Sequence, residues 1–332
     1  MEEKFIRTVL GDIKPEQLGY CQCHEHLFIA RGISAQKVPS LVMEDIDKST
    51  QELFLYHKKG GRAVVDAQPV GCGRMADELR IASERSGVHI IASTGFHKLD
   101  FYGSNHFIYK MDVDELTELF CGEITQGMFT DYKDDDTALT KRKKAKAGII
   151  KAASDGRDIR LPEGNLPVYR KLFTAAGRAA RLTGAPVLTH LEMGRGADSQ
   201  LEILTSQGIE PRRIIMSHLD RVLTKEMRDY QLQVAKSGVY LQFDTIGRFK
   251  YHDDEAEAEF ISMLCEKGYC DKILIGLDTT NERLKSYGGT IGLDYILDTF
   301  RHCLKAYGIG DDLFYRFTVS NPMQALCIEL NI

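Results

Sequence analysis

The chain has 332 residues, 43% hydrophobic and 27% charged, with a formal net charge of −5. That is ample material for a large core, and the acidic balance offers no cationic field for nucleic acid. No stretch reaches the ~20 apolar residues of a membrane helix, and Met1-Glu2-Glu3-Lys4-Phe5-Ile6-Arg7 has no apolar run behind a basic patch, so no signal peptide is read there.

Short apolar runs alternate with longer amphipathic ones. Strands are predicted at 20–26, 62–68, 89–95, 147–153, 186–191, 213–219, 239–245 and 273–279. Each is short and rich in Val, Ile, Leu or small residues, as strands covered on both faces are. Helical patterns lie between them, for example at 44–58, 74–86, 113–126, 168–182, 223–236, 254–267 and 292–306. A glycine stands near the end of most (Gly60, Gly87, Gly127, Gly184, Gly208, Gly238, Gly268, Gly308), where it can close a helix. Eight such units predict an α/β fold, a single (β/α)8 barrel domain over residues 1–332. No G-x-G-x-x-G follows the first strand, which argues against a dinucleotide-binding sheet. Residues 131–146, an acidic block followed by a basic one, read as a solvated insertion.

The eight cysteines are scattered and form no C-x-x-C pair. Cys21, Cys23 and Cys270 lie in or beside apolar runs. They read as free core thiols of a reduced, cytoplasmic protein, not as metal ligands.

In such a barrel, functional residues sit at the C-terminal ends of the strands. Strand one ends in His24-Glu25-His26. With period-two alternation, the two imidazoles share a face, as a catalytic metal requires. Strand four carries Lys151, strand five ends in Thr189-His190, strand six in Ser217-His218, and strand eight reaches Asp278. Singly, His190 and His218 also read as core imidazoles, and Lys151 reads better as an amine reaching solvent. Together, four histidines, a lysine and an aspartate at the active ends of the right strands point to a metal centre. A lysine inside an apolar strand is costly as an ammonium. One resolution is reaction with carbon dioxide, giving a carbamate whose two oxygens can bridge two ions.

These residues resemble the phosphotriesterase family of the amidohydrolase superfamily. The likeness runs through Arg7-Thr8-Val9-Leu10-Gly11, His24-Glu25-His26-Leu27, Val65-Asp66, Ala147-Gly148-Ile149-Ile150-Lys151, Thr189-His190, Ser217-His218-Leu219-Asp220, Gly276-Leu277-Asp278 and Asn321-Pro322-Met323-Gln324-Ala325-Leu326. It covers essentially the whole chain. Cys21-Gln22 replaces the family's usual Thr-Leu, a change expected to alter packing and not metal binding.

The resemblance implies a binuclear centre, usually of zinc, with Mn2+ or Co2+ as alternatives. His24, His26 and Asp278 would hold the inner ion, and His190 and His218 the outer one. Carbamylated Lys151 and a hydroxide would bridge them, and Asp278 would take the proton. Family members are often dimers, which leaves a homodimer open here.

The resemblance also implies hydrolysis of an ester-like bond, and the loops choose which. The chain has no Trp, and its loops are polar and basic, unlike those of a triester specialist or of a lactonase for long acyl tails. Arg283 and Tyr287 of the eighth loop are the preferred anion-binding pair, with Arg248 and Lys250 of the seventh. His97 or Tyr102 of the third loop is expected near the bridging hydroxide. The leading expectation is a metal-dependent lactonase for a small polar, phosphorylated sugar lactone. The alternatives are a phosphotriesterase and a non-catalytic barrel with a binding role.

Overall fold

Every predicted strand forms at its expected position, most of them shorter than predicted. In the computed structural model, which describes residues 4–130, 139 and 141–329, they are β1 Cys21–Glu25, β2 Ala63–Asp66, β3 His89–Phe96, β4 Ile149–Ala153, β5 Val187–His190, β6 Ile214–Met216, β7 Tyr240–Phe243 and β8 Ile273–Ile275. They pair in parallel and in chain order. The charged insertion expected at 131–146 lies in large part (131–138 and 140) outside the described residues.

Alternation sorts the strand side chains. Val64, Ile90, Ile150, Ile214, Leu241 and Ile273 point outward and pack on the helices, where they meet Leu79, Phe173, Leu204 and Phe260. Val65, Ile91, Ile149, Ile215, Tyr240 and Leu274 point inward and form a second cluster with Cys21 and Cys23. All eight cysteines are free thiols, and Cys21, Cys23, Cys72 and Cys327 are buried. Gln22, beside the departure from the family pattern, sends its side-chain amide to the Leu293 carbonyl at 2.7 Å.

The helices between strands include α1 Ile46–Lys58, α2 Ala76–Ser86, α3 Val113–Thr125, α4 Leu166–Thr183, α5 Ala197–Ser206, α6 Lys225–Lys236 and α7 Asp254–Glu266. Gly87 (φ 72°) and Gly184 (φ 69°) end α2 and α4 in the left-handed conformation, as expected. The last predicted helix opens as a π-helical turn, Ile296–Phe300, and continues as Arg301–Ala306. Among the described residues, no helix is long and apolar enough to cross a membrane.

Two features were not foreseen. Lys4–Thr8 pairs antiparallel with both Gly11–Ile13 and Ile328–Glu329, joining the two ends of the described chain. Ile6, Leu18, Ala325 and Leu326 then close the N-terminal end of the barrel interior. The second feature is the seam where β8 returns to β1. The Asp278 amide donates to the His24 carbonyl at 2.9 Å, and the Leu277 amide to Glu25 Oε1 at 2.8 Å. A Cβ on Gly276 would sit 3.0 Å from the His24 backbone, so a bare glycine lets the strands approach.

Candidate metal centre

The interior faces of the strands continue directly into the site. Two residues beyond Ile149 stands Lys151, and two beyond Leu188 stands His190. In β1, a register shift between Gln22 and Glu25 re-aims His24. His218 and Asp278 lie beyond their strands, which end at Met216 and Ile275, not at the predicted 219 and 279. Both adopt left-handed backbone, with φ of 62° and 48°. Non-glycine residues rarely do this, and such strain clusters at functional sites.

The six candidate ligands converge. His24, His218 and Asp278 each offer one ligand atom within 4.8 Å of the others. Asp278 Oδ1 lies 3.4 Å from His26 Nε2 and 3.8 Å from His24 Nε2. His24 Nε2 is 3.0 Å from Lys151 Nζ, and His218 Nε2 is 2.8 Å from His190 Nδ1. Lys151 is fully buried.

Asp244, at the end of β7, explains which nitrogens face inward. Its Oδ1 lies 2.5 Å from His218 Nδ1. Its Oδ2 lies 3.0 Å from His24 Nδ1, short of an aligned hydrogen bond. With its Nδ1 proton on this carboxylate, His218 turns its Nε2 lone pair into the site, and His24, whose Nδ1 faces the same carboxylate, presents Nε2 as well. Glu192 does the same for the third histidine: its Oε2 lies 3.2 Å from His190 Nε2, leaving Nδ1 for the centre. Glu192 also accepts from Lys98 at 2.5 Å and from Arg221 at 3.3 Å.

The electrostatics suit metal ligation. Burial holds His24, His97, His190 and His218 well below the ordinary imidazole range, so they are neutral near pH 7. Burial also pushes Lys151 down to about 8, against the opposing pull of Asp278 and Asp244. Asp244 is raised to about 7 by burial and by Asp278. Burial would raise Asp278 too, yet Arg248 and the adjoining histidines hold it well below the usual carboxylate range. Arg221 and Arg248 reach Asp278 Oδ2 at 3.3 and 3.1 Å. Glu25 is pushed up to about 8 by burial, opposed by the Leu277 amide.

A cavity of about 250 Å³ opens over these residues. It is lined by His97, Lys98, Arg221, Arg248, Lys250 and Arg283, among others. Two of the six residues expected to contact substrate are placed elsewhere. The Tyr287 hydroxyl is held between Ser49 Oγ at 2.9 Å and the Asp45 carbonyl at 3.1 Å, against α1. Tyr102 turns its hydroxyl to the His97 amide at 2.8 Å, so of these two it is His97 that lines the cavity. The His97 ring lies 5.4 Å from that of His190. Arg283 reaches the cavity wall, but its guanidinium is engaged by the Leu277 and Ile246 carbonyls. Arg248 likewise grips Asp278. Lys250 is exposed at the mouth, with its ammonium over the Tyr251 ring.

Sequence reasoning missed Asp244, Glu192 and Arg221. Each lies within three residues of a strand end or a recognised ligand, and that position was the only signal available.

With this geometry in place, comparison with known proteins is direct. The Phosphotriesterase family pattern matches residues 4–326. The chain belongs to that family. It is 33% identical over 339 residues to a phospho-furanose lactonase of Mycoplasmopsis synoviae (strain 53), covering 99% of this chain and 93% of the relative. A solved lactonase from Listeria monocytogenes superposes with a TM-score of 0.86 at 29% identity, covering 98% of this chain and 100% of that one. The phosphotriesterase homology protein of Escherichia coli, solved with phosphate in its active site, gives 0.80 at 27% identity over 93% and 98%.

Proposed function

We propose that this protein is a metal-dependent lactonase that opens a small phosphorylated furanose lactone. The observation that carries the reading is a cationic cavity directly above converged, neutral imidazoles. The lactonase relatives support it, and so does the phosphate held by the Escherichia coli neighbour.

The donor set fits divalent metal. Neutral imidazoles and carboxylates suit Zn2+, with Mn2+ or Co2+ as alternatives. His24, His26 and Asp278 would hold one ion, His190 and His218 a second, and Lys151 as its carbamate would join them. Carbamate formation needs a neutral amine, and the depressed Lys151 supplies one. Such ions polarise a carbonyl and lower the pKa of water.

The chain's own residues do the rest. Arg221 and Arg248 keep the Asp278 carboxylate ionised, so it can accept a proton from water. As a weak base, it then releases that proton to the departing ring alkoxide. His97 borders the same space from the third loop. Lys250, with Arg248 behind it, would meet a phosphate on the far end of the substrate. Arg283 acts chiefly by clamping the loop around Asp278. The free thiols fit a reduced, cytoplasmic setting.

Turnover of phosphorylated and unphosphorylated aldonolactones by protein loaded with Zn2+ or Mn2+ and bicarbonate tests the reading. Strong preference for the phosphorylated lactones is expected, and equal rates remove the phosphate end. Neutral organophosphate triesters are expected to react more slowly, since they leave Lys250 at the mouth without an anionic partner. Faster turnover of triesters than of any lactone would reverse the assignment. Absence of any hydrolysis by fully loaded protein would favour a binding role.

A further inference from the structure

Asp220 follows β6, His252 lies in the loop after β7, and Glu257 sits in the first turn of α7. None belongs to the site described above. One ligand atom from each lies within 4.8 Å of the others. Asp220 and Glu257 are fully buried, and the His252 side chain is 8% exposed. Asp220 Oδ2 accepts the Thr245 amide at 2.5 Å. Asp220 Oδ1 and both Glu257 oxygens meet no hydrogen-bond donor among the described residues. No lysine or arginine pairs with either carboxylate there; the only basic neighbour is His252, whose Nδ1 is 3.8 Å from Glu257 Oε2.

Two buried carboxylates in contact, without a basic partner, must be neutralised. A proton shared between them does this in part, and burial together with Asp220, Asp254 and Asp244 does push Glu257 well above the usual range. A divalent cation does it fully, because its charge equals that of the two carboxylates. It also gives the orphaned oxygens a partner. We propose that Asp220, Glu257 and His252 hold a third divalent cation, separate from the binuclear centre. Two carboxylates and an imidazole are an oxygen-rich set that accepts Mn2+. His252 Nδ1 donates to the Asp253 carbonyl at 2.9 Å, which leaves Nε2 as its ligand atom, and the Thr245 hydroxyl 3.0 Å from Nε2 borders the same space. The ion would tie the loop after β6 to α7. Through the Thr245 amide it would also brace the turn that carries Asp244.

Crystals of the wild-type protein grown with saturating Mn2+, mapped by anomalous scattering, test this. An anomalous peak about 2.0–2.6 Å from the Asp220 and Glu257 oxygens is expected, with three ions per chain by elemental analysis. Glu257→Gln is expected to lose that peak and one ion. No peak at this position in the wild type overturns the proposal and leaves the carboxyl pair sharing a proton. Peaks near His24 and His190 are read separately, so the loss of either reading leaves the other standing.

Discussion

Replacing Lys151 by methionine is expected to stabilise the metal-free protein while abolishing its activity. The amine is fully buried and pushed from 10.5 down to about 8. At ~1.36 kcal/mol per pH unit, holding it as an ammonium at pH 7 costs the fold about 3 kcal/mol. Losing the contact with His24 Nε2 returns about 1 kcal/mol. The net gain of about 2 kcal/mol corresponds to roughly 3 °C in Tm for a chain of this length. The sign depends on pH. Below about 8 the amine is charged in both states and the penalty is full. Between about 8 and 10.5 the unfolded chain binds the extra proton, so wild-type stability rises with pH. Above 10.5 the penalty is gone. Thermal melts of chelated protein in carbon-dioxide-free buffer at pH 7 and pH 10.5 measure this. A Lys151→Met melt at or below wild type at pH 7, or an advantage that persists at pH 10.5, would refute the reasoning.

Three further outcomes are expected. Lys250→Met raises KM for a phosphorylated lactone about tenfold, roughly 1.4 kcal/mol, and leaves the unphosphorylated lactone unaffected; an equal change on both would assign Lys250 a structural role. Glu25→Ala orphans the Leu277 amide and costs about 1–3 kcal/mol in urea denaturation, whereas Glu25→Gln keeps an acceptor and stays within about 1 kcal/mol of wild type; equal losses would mean the seam does not depend on that bond. Gly95→Ala places a Cβ 2.0 Å from the Lys151 carbonyl at φ 96°, forcing β3 from β4; soluble, active protein would show the contact to be relieved cheaply.

The barrel was legible because strands covered on both faces leave uninterrupted apolar runs, and the interior face of each run passes straight into a chemical residue, as Ile149 does into Lys151. Strand ends were less legible. His218 and Asp278 leave the strand through left-handed backbone that no local pattern announces. Proximity in sequence misled at Tyr287, which folds back on α1, and at Arg283, whose guanidinium serves loop carbonyls. Asp244 reads in sequence as an ordinary polar residue closing a strand. Its importance comes from two histidines contributed by other strands, and only the folded chain supplies those. Pairing of Lys4 with Glu329 depends on contacts between opposite ends of the chain, which periodicity cannot report.

Asp244 has two oxygens and two clients, one imidazole from each of the two proposed ion positions. An ion at either position fixes its rotamer, and with it the orientation of the other ion's histidine. The ordering cost is then met once for both, so occupancy is expected to be cooperative. Zinc added at half the stoichiometric amount would leave a mixture of empty and doubly loaded chains, with few singly loaded ones, as native mass spectrometry can resolve.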